Sequence, residues 1–295
     1  MEGVPKTMGE QPAAGPRVAF VTVSFRSADV LKPMLASLTE SGAAVTVGVV
    51  ADNHPDAEVR ALAEKAHFSY LPLPNPGYGS AVNAAVGRLP SEIDWIVVSN
   101  PDVTFERHAI ERMLVVGSAD PSIGALGPRI IDENGAVYPS ARAIPSLRTG
   151  IGHALLSRVW AANPWTRRYL QFADLASDEV RETGWLSGAC LLVRRTAFEE
   201  VGGFDEAFFM YFEDVDLGLR LGRAGFRNVY VPSAVIHHSG GHSTAGASEQ
   251  MLRAHHTSAR LFIARKYSGP LLAPLRGVIG LGLAVRANLS RSRTN

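Results

Sequence analysis

Glu213, Asp214 and Asp216 put three carboxylates within four residues, directly behind the apolar run Phe208-Phe209-Met210-Tyr211-Phe212. An apolar wall desolvates a neighbouring carboxylate and raises its pKa toward the range of a useful general base. Neighbouring positions on a helix point about 100° apart, so one of the three is expected to reach a reacting hydroxyl. The others would cap the helix or hold an arginine such as Arg220, four residues beyond Asp216. Histidines follow at His237, His238 and His242, and five of the chain's nine fall between positions 237 and 256. His255 and His256 read as structural or interfacial residues of a C-terminal helix.

A second acidic site, Asn100-Pro101-Asp102, follows the apolar run Trp95-Ile96-Val97-Val98. Open α/β sheets hold ligands at the carboxyl ends of buried strands. One carboxylate completed by phosphate oxygens is a common loose arrangement for Mg²⁺; the plainer reading is a cap for a helix beginning near Phe105. Asp52-Asn53, just past another apolar run, could accept hydrogen bonds from a nucleobase imide or a ribose hydroxyl, although Asp-Asn also marks turns. In Asn75-Pro76-Gly77-Tyr78-Gly79-Ser80-Ala81-Val82-Asn83, small residues at a loop-to-helix junction let backbone approach a ligand, and a helix N-terminus favours phosphate. Together these sites imply a metal-dependent transferase that handles a nucleoside diphosphate. The Gly-x-Gly-x-x-Gly of a dinucleotide-binding turn is missing, which counts against a dehydrogenase, and Val23-Ser24-Phe25-Arg26-Ser27 has no glycine, which places a sugar nucleotidyltransferase well behind.

The elements that must position these groups alternate. Val18–Val23 reads as a buried strand, with Asp29 capping the helix through Leu31, Leu35 and Leu38. Val45–Val50 reads as strand, 56–66 as helix, 68–71 as strand, 78–86 as helix and 93–98 as the strand that delivers Asp102. This βαβαβαβ order predicts an α/β fold with a doubly wound, mostly parallel sheet. Beyond Gly127 the pattern loosens: a hairpin about Asn134-Gly135, a helical or looping insert over 144–174, and a strand over 189–193. A helix from Thr196 to Gly202-Gly203 follows, then an amphipathic helix over 213–224 and a strand at Val229–Val231 stopped by Pro232. One domain over 17–245 in two halves is expected, 17–127 binding nucleotide and 128–245 binding the second substrate, with a helical tail over 246–295.

At 295 residues and 46% hydrophobic content the chain can bury a full core. The lone Cys190 excludes an internal disulfide and, within Gly188-Ala189-Cys190-Leu191-Leu192-Val193, reads as a small buried hydrophobe. Residues 1–16 read as a disordered lead-in without the apolar core of a signal peptide, and no window is long enough to span a membrane. A net charge of +1 conceals an asymmetry: after Glu249 come eight basic residues and no acidic one, threaded among leucines and valines. That interleaving predicts a surface-lying contact with anionic lipid; a packed helix with a basic face is the plainer reading. Nucleic acid is not expected, since no aromatic platform accompanies the charges.

Val23-Ser24-Phe25, Asp52-Asn53, Asn75-x-Gly77-x-Gly79, Asn83, Asn100-Pro101-Asp102, Gly203-Phe204-Asp205-Glu206-x-Phe208-Phe209 and Glu213-Asp214-x-Asp216 occur in the order seen in inverting family-two glycosyltransferases of the GT-A fold. The resemblance runs from about Val18 to Ser243. Tyr138-Pro-Ser-Ala-Arg142, Gly184-Trp185-Leu186-Ser187-Gly188, 209–217 and His237-His238 with His242-Ser243-Thr244 resemble in particular the bacterial rhamnosyltransferases that extend polyprenyl-diphospho-N-acetylglucosamine in the arabinogalactan linker.

The resemblance implies that Asp214 is the general base, that Asp52 contacts the nucleobase, and that Asp102 and His238 hold Mg²⁺ or Mn²⁺ at the diphosphate. Ser24, Asn75, Gly77, Tyr78, Gly79, Asn83 and Asn100 would line the donor. Trp185, Ser187, Gly188, Glu213, Asp216 and His242 would support the acceptor side. It implies dTDP-L-rhamnose as donor, a lipid-linked N-acetylglucosamine acceptor, and a cytoplasmic protein peripheral on the inner face of the cell membrane. Galactofuranose or a hexose on UDP is the alternative donor, and homo-oligomerisation is left open. Two departures stand out: Asn100 replaces the first carboxylate of the family's Asp-x-Asp, and His54-Pro55 follows Asp52-Asn53 where a small hydroxylated residue is usual. The first leaves an inactive scaffold as a rival reading.

Overall fold

Alternation within the strands decides where each helix lies. In β1 (Val18–Ser24), Val18 and Phe20 face one way and Ala19, Val21 and Val23 the other, and all are buried. β4 (Trp95–Ser99) and β11 (Cys190–Arg194) divide likewise, so each face of the sheet needs its own cover. α1 (Ala28–Glu40), α2 (Ala57–Lys65) and α4 (Ala109–Ala119) bury Leu31, Met34, Val59, Ile110 and Met113 against Phe20, Trp95 and Val97. On the opposite face α3 (Tyr78–Val86), α5 (Arg195–Glu200) and α6 (Glu213–Arg223) bury Ala81, Val82, Phe198, Leu217 and Leu221 against Val21, Ile96 and Leu191. The computed structural model describes residues 15–43, 45–146, 177–240 and 248–269.

The sheet order is β3-β2-β1-β4-β11-β6-β12-β5, where β2 is Val45–Asp52, β3 Ser69–Pro72, β5 Val103–Phe105, β6 Ile123–Ile131 and β12 Arg227–His238. Pairing is parallel from β3 to β4 and again between β6 and β12. β11 runs antiparallel between β4 and β6, joining the two halves into a mixed, mostly parallel sheet. β7 (Val137–Tyr138) closes the hairpin expected at Asn134-Gly135 on β6, and β9 (Arg181–Thr183) pairs with β12. β8 (Ala141–Arg142) and β10 (Trp185–Leu186) form a separate ladder. α7 (Ser248–Lys266) packs Phe262 against Phe208 and Val215.

Three expectations change. α1 starts at Ala28 behind Ser27, and Asp29 sits inside its first turn. The helix expected near Phe105 starts at Ala109, because Val103–Phe105 is an edge strand paired with Ile236, His237 and His238. Pro232 does not stop the last strand: β12 continues to His238 through a register shift between Val231 and Val235, and proline is tolerated where the ladder is already broken. The expected lead-in up to residue 14, most of the insert, His242 and the tail from 270 lie outside the described residues.

Candidate active site

The carboxyl ends of β1, β2 and β4 open into a cleft of about 400 Å³. β1 and β2 supply Val23, Phe25 and Asn53, the turn into α3 supplies Asn75, Gly77 and Tyr78, and the β4–β5 connection supplies Asn100 and Asp102. β12 adds His238; the β10–β11 turn adds Ser187 and Gly188; α6 adds Glu213 and Asp214; α7 adds Met251 and Ala254.

Asp102 and His238 meet at the cleft floor, with Oδ1 3.1 Å from Nε2 and side chains 9% and 20% exposed respectively. The antiparallel β5–β12 ladder places them: Val103, beside Asp102, pairs with His238. The Ser239 amide donates to the Asp102 carbonyl at 3.3 Å, and the Asn100 amide donates to Ala189 O at 2.9 Å. Asn100 Nδ2 lies 3.4 Å from His238 Nε2. Among the described residues no group of three His, Cys, Asp or Glu is placed to hold a metal. A converging carboxylate oxygen and imidazole nitrogen nevertheless fit a divalent cation whose remaining positions a diphosphate and water would fill.

Opposite stands the acidic pair at the start of α6. Burial pushes the Asp214 carboxyl above the usual range. The amides of Gly188 (2.9 Å, to Oδ2) and Val215 (2.8 Å, to Oδ1) pull it back by favouring the charged form, and the Arg142 guanidinium pulls the same way. Burial, then the Asp214 charge, pushes Glu213 up to about 8, and its Oε2 is buried without a hydrogen-bond partner. Glu213 is therefore mostly protonated at neutral pH, and Asp214, held by two amides, is the better proton acceptor. Burial and these same two carboxylates push the Tyr78 hydroxyl well up, so it stays a donor, to Gly188 O at 2.9 Å.

The turn before α6 is strained. Tyr211 and Phe212 carry φ of 67° and 69°, a left-handed pair rare for bulky residues. Phe209 O accepts from the Tyr78 amide at 3.0 Å. A Cβ on Gly77, itself at φ 103°, would collide with that Phe209 carbonyl, which explains why glycine stands there.

Asn75, Gly77, Tyr78, Asn100, Asp102, Ser187, Gly188, Glu213, Asp214 and His238 thus share the cleft, as their sequence positions imply. Six other expected residues stand behind it. Ser24 is buried with Oγ 3.1 Å from Ser27 Oγ. Asp52 is fully buried; its carboxylate accepts from the amides of His54 (3.2 Å) and Asp56 (3.0 Å) and from the Tyr70 hydroxyl (2.9 Å), so it shapes the loop after β2 from behind. Gly79 packs on Phe204, and Asn83 ties down Phe204 through its amide and carbonyl, at 2.9 and 2.8 Å. Trp185 donates from Nε1 to Ala143 O, and Asp216 is buried in an ion pair with Arg220. His237 pairs with Glu106 on the exposed face of β12, while His242 lies outside the described residues. Asn53 and Tyr138, each part of a motif quoted from the sequence, also line the cleft, and sequence reasoning missed the α7 pair Met251 and Ala254, whose three-residue spacing was the available signal.

The chain is similar to known proteins in sequence and in fold. A family model described as glycosyltransferase-like family 2 matches residues 16–257. The N-acetylglucosaminyl-diphospho-decaprenol L-rhamnosyltransferase of Mycobacterium tuberculosis is 43% identical over 281 residues, 91% of each chain. The rhamnosyltransferase WbbL of Escherichia coli is 27% identical over 256 residues, 84% of this chain and 93% of that one. The mannosyltransferase PcManGT of Pyrobaculum calidifontis, solved with GDP-Man and Mn²⁺, superposes with a TM-score of 0.57 at 14% identity, covering 99% of this chain and 79% of that one. Sheet order, cleft position and these likenesses converge: the chain belongs to glycosyltransferase-like family 2 and is a glycosyltransferase of the GT-A fold.

Proposed function

We propose that the protein transfers L-rhamnose from dTDP-L-rhamnose to a lipid-linked N-acetylglucosaminyl diphosphate, with inversion, in building the arabinogalactan linker of a cell wall. The observation that carries the chemistry is a single cleft with an amide-held Asp214 at one wall and the Asp102–His238 pair on its floor. Likeness across 91% of both chains to the M. tuberculosis enzyme supports the donor and acceptor.

Asp214 accepts the proton of the acceptor hydroxyl as its oxygen bonds to the anomeric carbon. The bond from that carbon to the diphosphate breaks on the opposite face, and dTDP leaves. One displacement inverts the centre. Asp102 and His238 would hold Mg²⁺ or Mn²⁺, which supplies charge neutralisation for the departing diphosphate. Tyr78 and the two Asp214-bound amides keep the base aimed, and Glu213 adds a neutral wall that excludes water. Phe25 and Asn53 line the nucleotide end, with Asp52 acting through the loop it holds. Among the described residues no helix is long and apolar enough to cross a membrane, and the basic segment from about Ser268 is assigned to the anionic inner leaflet, where a polyprenyl acceptor resides.

Incubation with polyprenyl-diphospho-N-acetylglucosamine and, separately, dTDP-L-rhamnose, UDP-galactofuranose and UDP-hexoses tests this reading. A disaccharide lipid is expected from dTDP-L-rhamnose. Product from a UDP sugar alone would replace the donor, and turnover with none would favour the scaffold.

A further inference from the structure

α7 is not part of the sheet, yet two of its residues line the cleft and several others grip the strained turn that launches the catalytic helix. Ser258, 4% exposed, donates from Oγ to Met210 O at 2.7 Å. One turn earlier the His255 ring stands edge-on to Tyr211 and Phe212, with centroids 5.5 and 5.3 Å away. One turn later Phe262, buried, lies 5.6 Å from the Phe212 ring and packs on Phe208. Arg265 closes the clasp with an ion pair to Asp205, its guanidinium 5.5 Å from the Phe208 ring. Every residue from Phe208 to Phe212 other than Phe209 is thereby held by α7, by hydrogen bond or ring contact.

Consecutive left-handed aromatic residues persist only where their surroundings over-determine them. The next residues are Glu213 and Asp214, so the direction of the turn fixes where the Asp214 carboxylate falls relative to the Gly188 amide. We propose that α7 is a working part of the active site: Ser258, with His255, is a positioning residue that holds the Met210-Tyr211-Phe212 turn so that Asp214 meets the acceptor hydroxyl. The family match ends at residue 257, so Ser258, Phe262 and Arg265 lie beyond it.

The proposal rests on Asp214 as base, which Asp214→Asn tests separately. Its own test uses Ser258→Ala, Ser258→Thr, His255→Ala and His255→Phe in the full chain, assayed with whichever sugar nucleotide the wild type turns over. Ser258→Ala and His255→Ala are each expected to lower kcat roughly fivefold, the effect of one hydrogen bond's worth of misplacement. KM for the sugar nucleotide and its affinity by calorimetry should remain within about twofold of wild type on the same scale. Ser258→Thr, which restores the donor to Met210 O, and His255→Phe, which restores the ring, should recover most of kcat. Wild-type kcat in both alanine variants would overturn the proposal. So would a fall in kcat matched by an equal fall in the folded fraction by near-ultraviolet circular dichroism, which would make α7 a plain stabilising helix.

Discussion

Glu213 and Asp214 share one desolvating wall but differ in what holds them, and the difference makes separable predictions. Asp214→Asn keeps one of the two amide contacts through its single side-chain oxygen, turns an NH2 toward the other amide, and removes the proton acceptor. Transfer is expected to fall on the order of 10²–10⁴-fold, with sugar-nucleotide affinity by calorimetry nearly unchanged; near-normal turnover would move the base to Glu213. Glu213 is pushed up to about 8 in the fold from an ordinary 4.5. The folded state therefore binds its proton more tightly than the unfolded chain does. The stability this contributes is full below about pH 4.5 and is lost as pH rises toward 8. Glu213→Gln cannot titrate, so its melting temperature relative to wild type should climb between pH 5 and pH 8.5, and a difference flat across that range would contradict the buried-acid assignment. His238→Ala should raise the Mg²⁺ or Mn²⁺ concentration needed for half-maximal rate, whereas His237→Ala, paired with exposed Glu106 on the other side of β12, should leave that titration unmoved.

Elements with strong local signals were readable before any coordinates. α3 runs from Tyr78 to Val86 as its small-residue helix pattern implies, and Asp56 caps α2 by accepting from the Glu58 amide at 2.7 Å. The edge strand β5 was not readable, because the three residues Val103-Thr104-Phe105 carry no period and no turn signal and form only against the partner β12 supplies. Pro232 misled for a related reason: the rule that proline ends a strand assumes a regular ladder, and here the ladder shifts register around it. Among the expected site residues, Asn100 and Asp102 reach the cleft from their position after β4, whereas Tyr78, Gly188, Glu213 and Asp214 reach it from turns and helix starts. Asp52 and Asn83 bond to neighbouring backbone, and in sequence a polar side chain at such a position looks the same whether it meets substrate or a loop. The α3 entry also gives a test at this scale. Gly77→Ala introduces a Cβ against the Phe209 carbonyl at φ 103°, and should cost about 2 kcal/mol or more in urea unfolding. Melting within error of wild type would mean that the turn relaxes freely.

The whole molecule combines a net-acidic body with a basic end, since a chain of net charge +1 carries eight basic residues and no acidic one after Glu249. Truncation after Tyr267 is expected to release the protein from anionic vesicles in cosedimentation and to slow transfer to the long-chain acceptor. A short water-soluble acceptor should be used equally by both forms. Added salt should weaken vesicle binding of the full chain through screening, and equal sedimentation of both forms would reduce the tail to a packed helix. At the same scale, the edge ladder of β5 and β12 ties Asp102 to His238 across 136 positions of sequence. During synthesis the ribosome releases the β1–β4 half, with Val23, Asn53, Asn75 and Tyr78 of the cleft, long before His238 leaves the exit tunnel. The cleft is therefore assembled late: its first lining residues wait for Asp214, His238 and Ala254 before the walls and floor are complete.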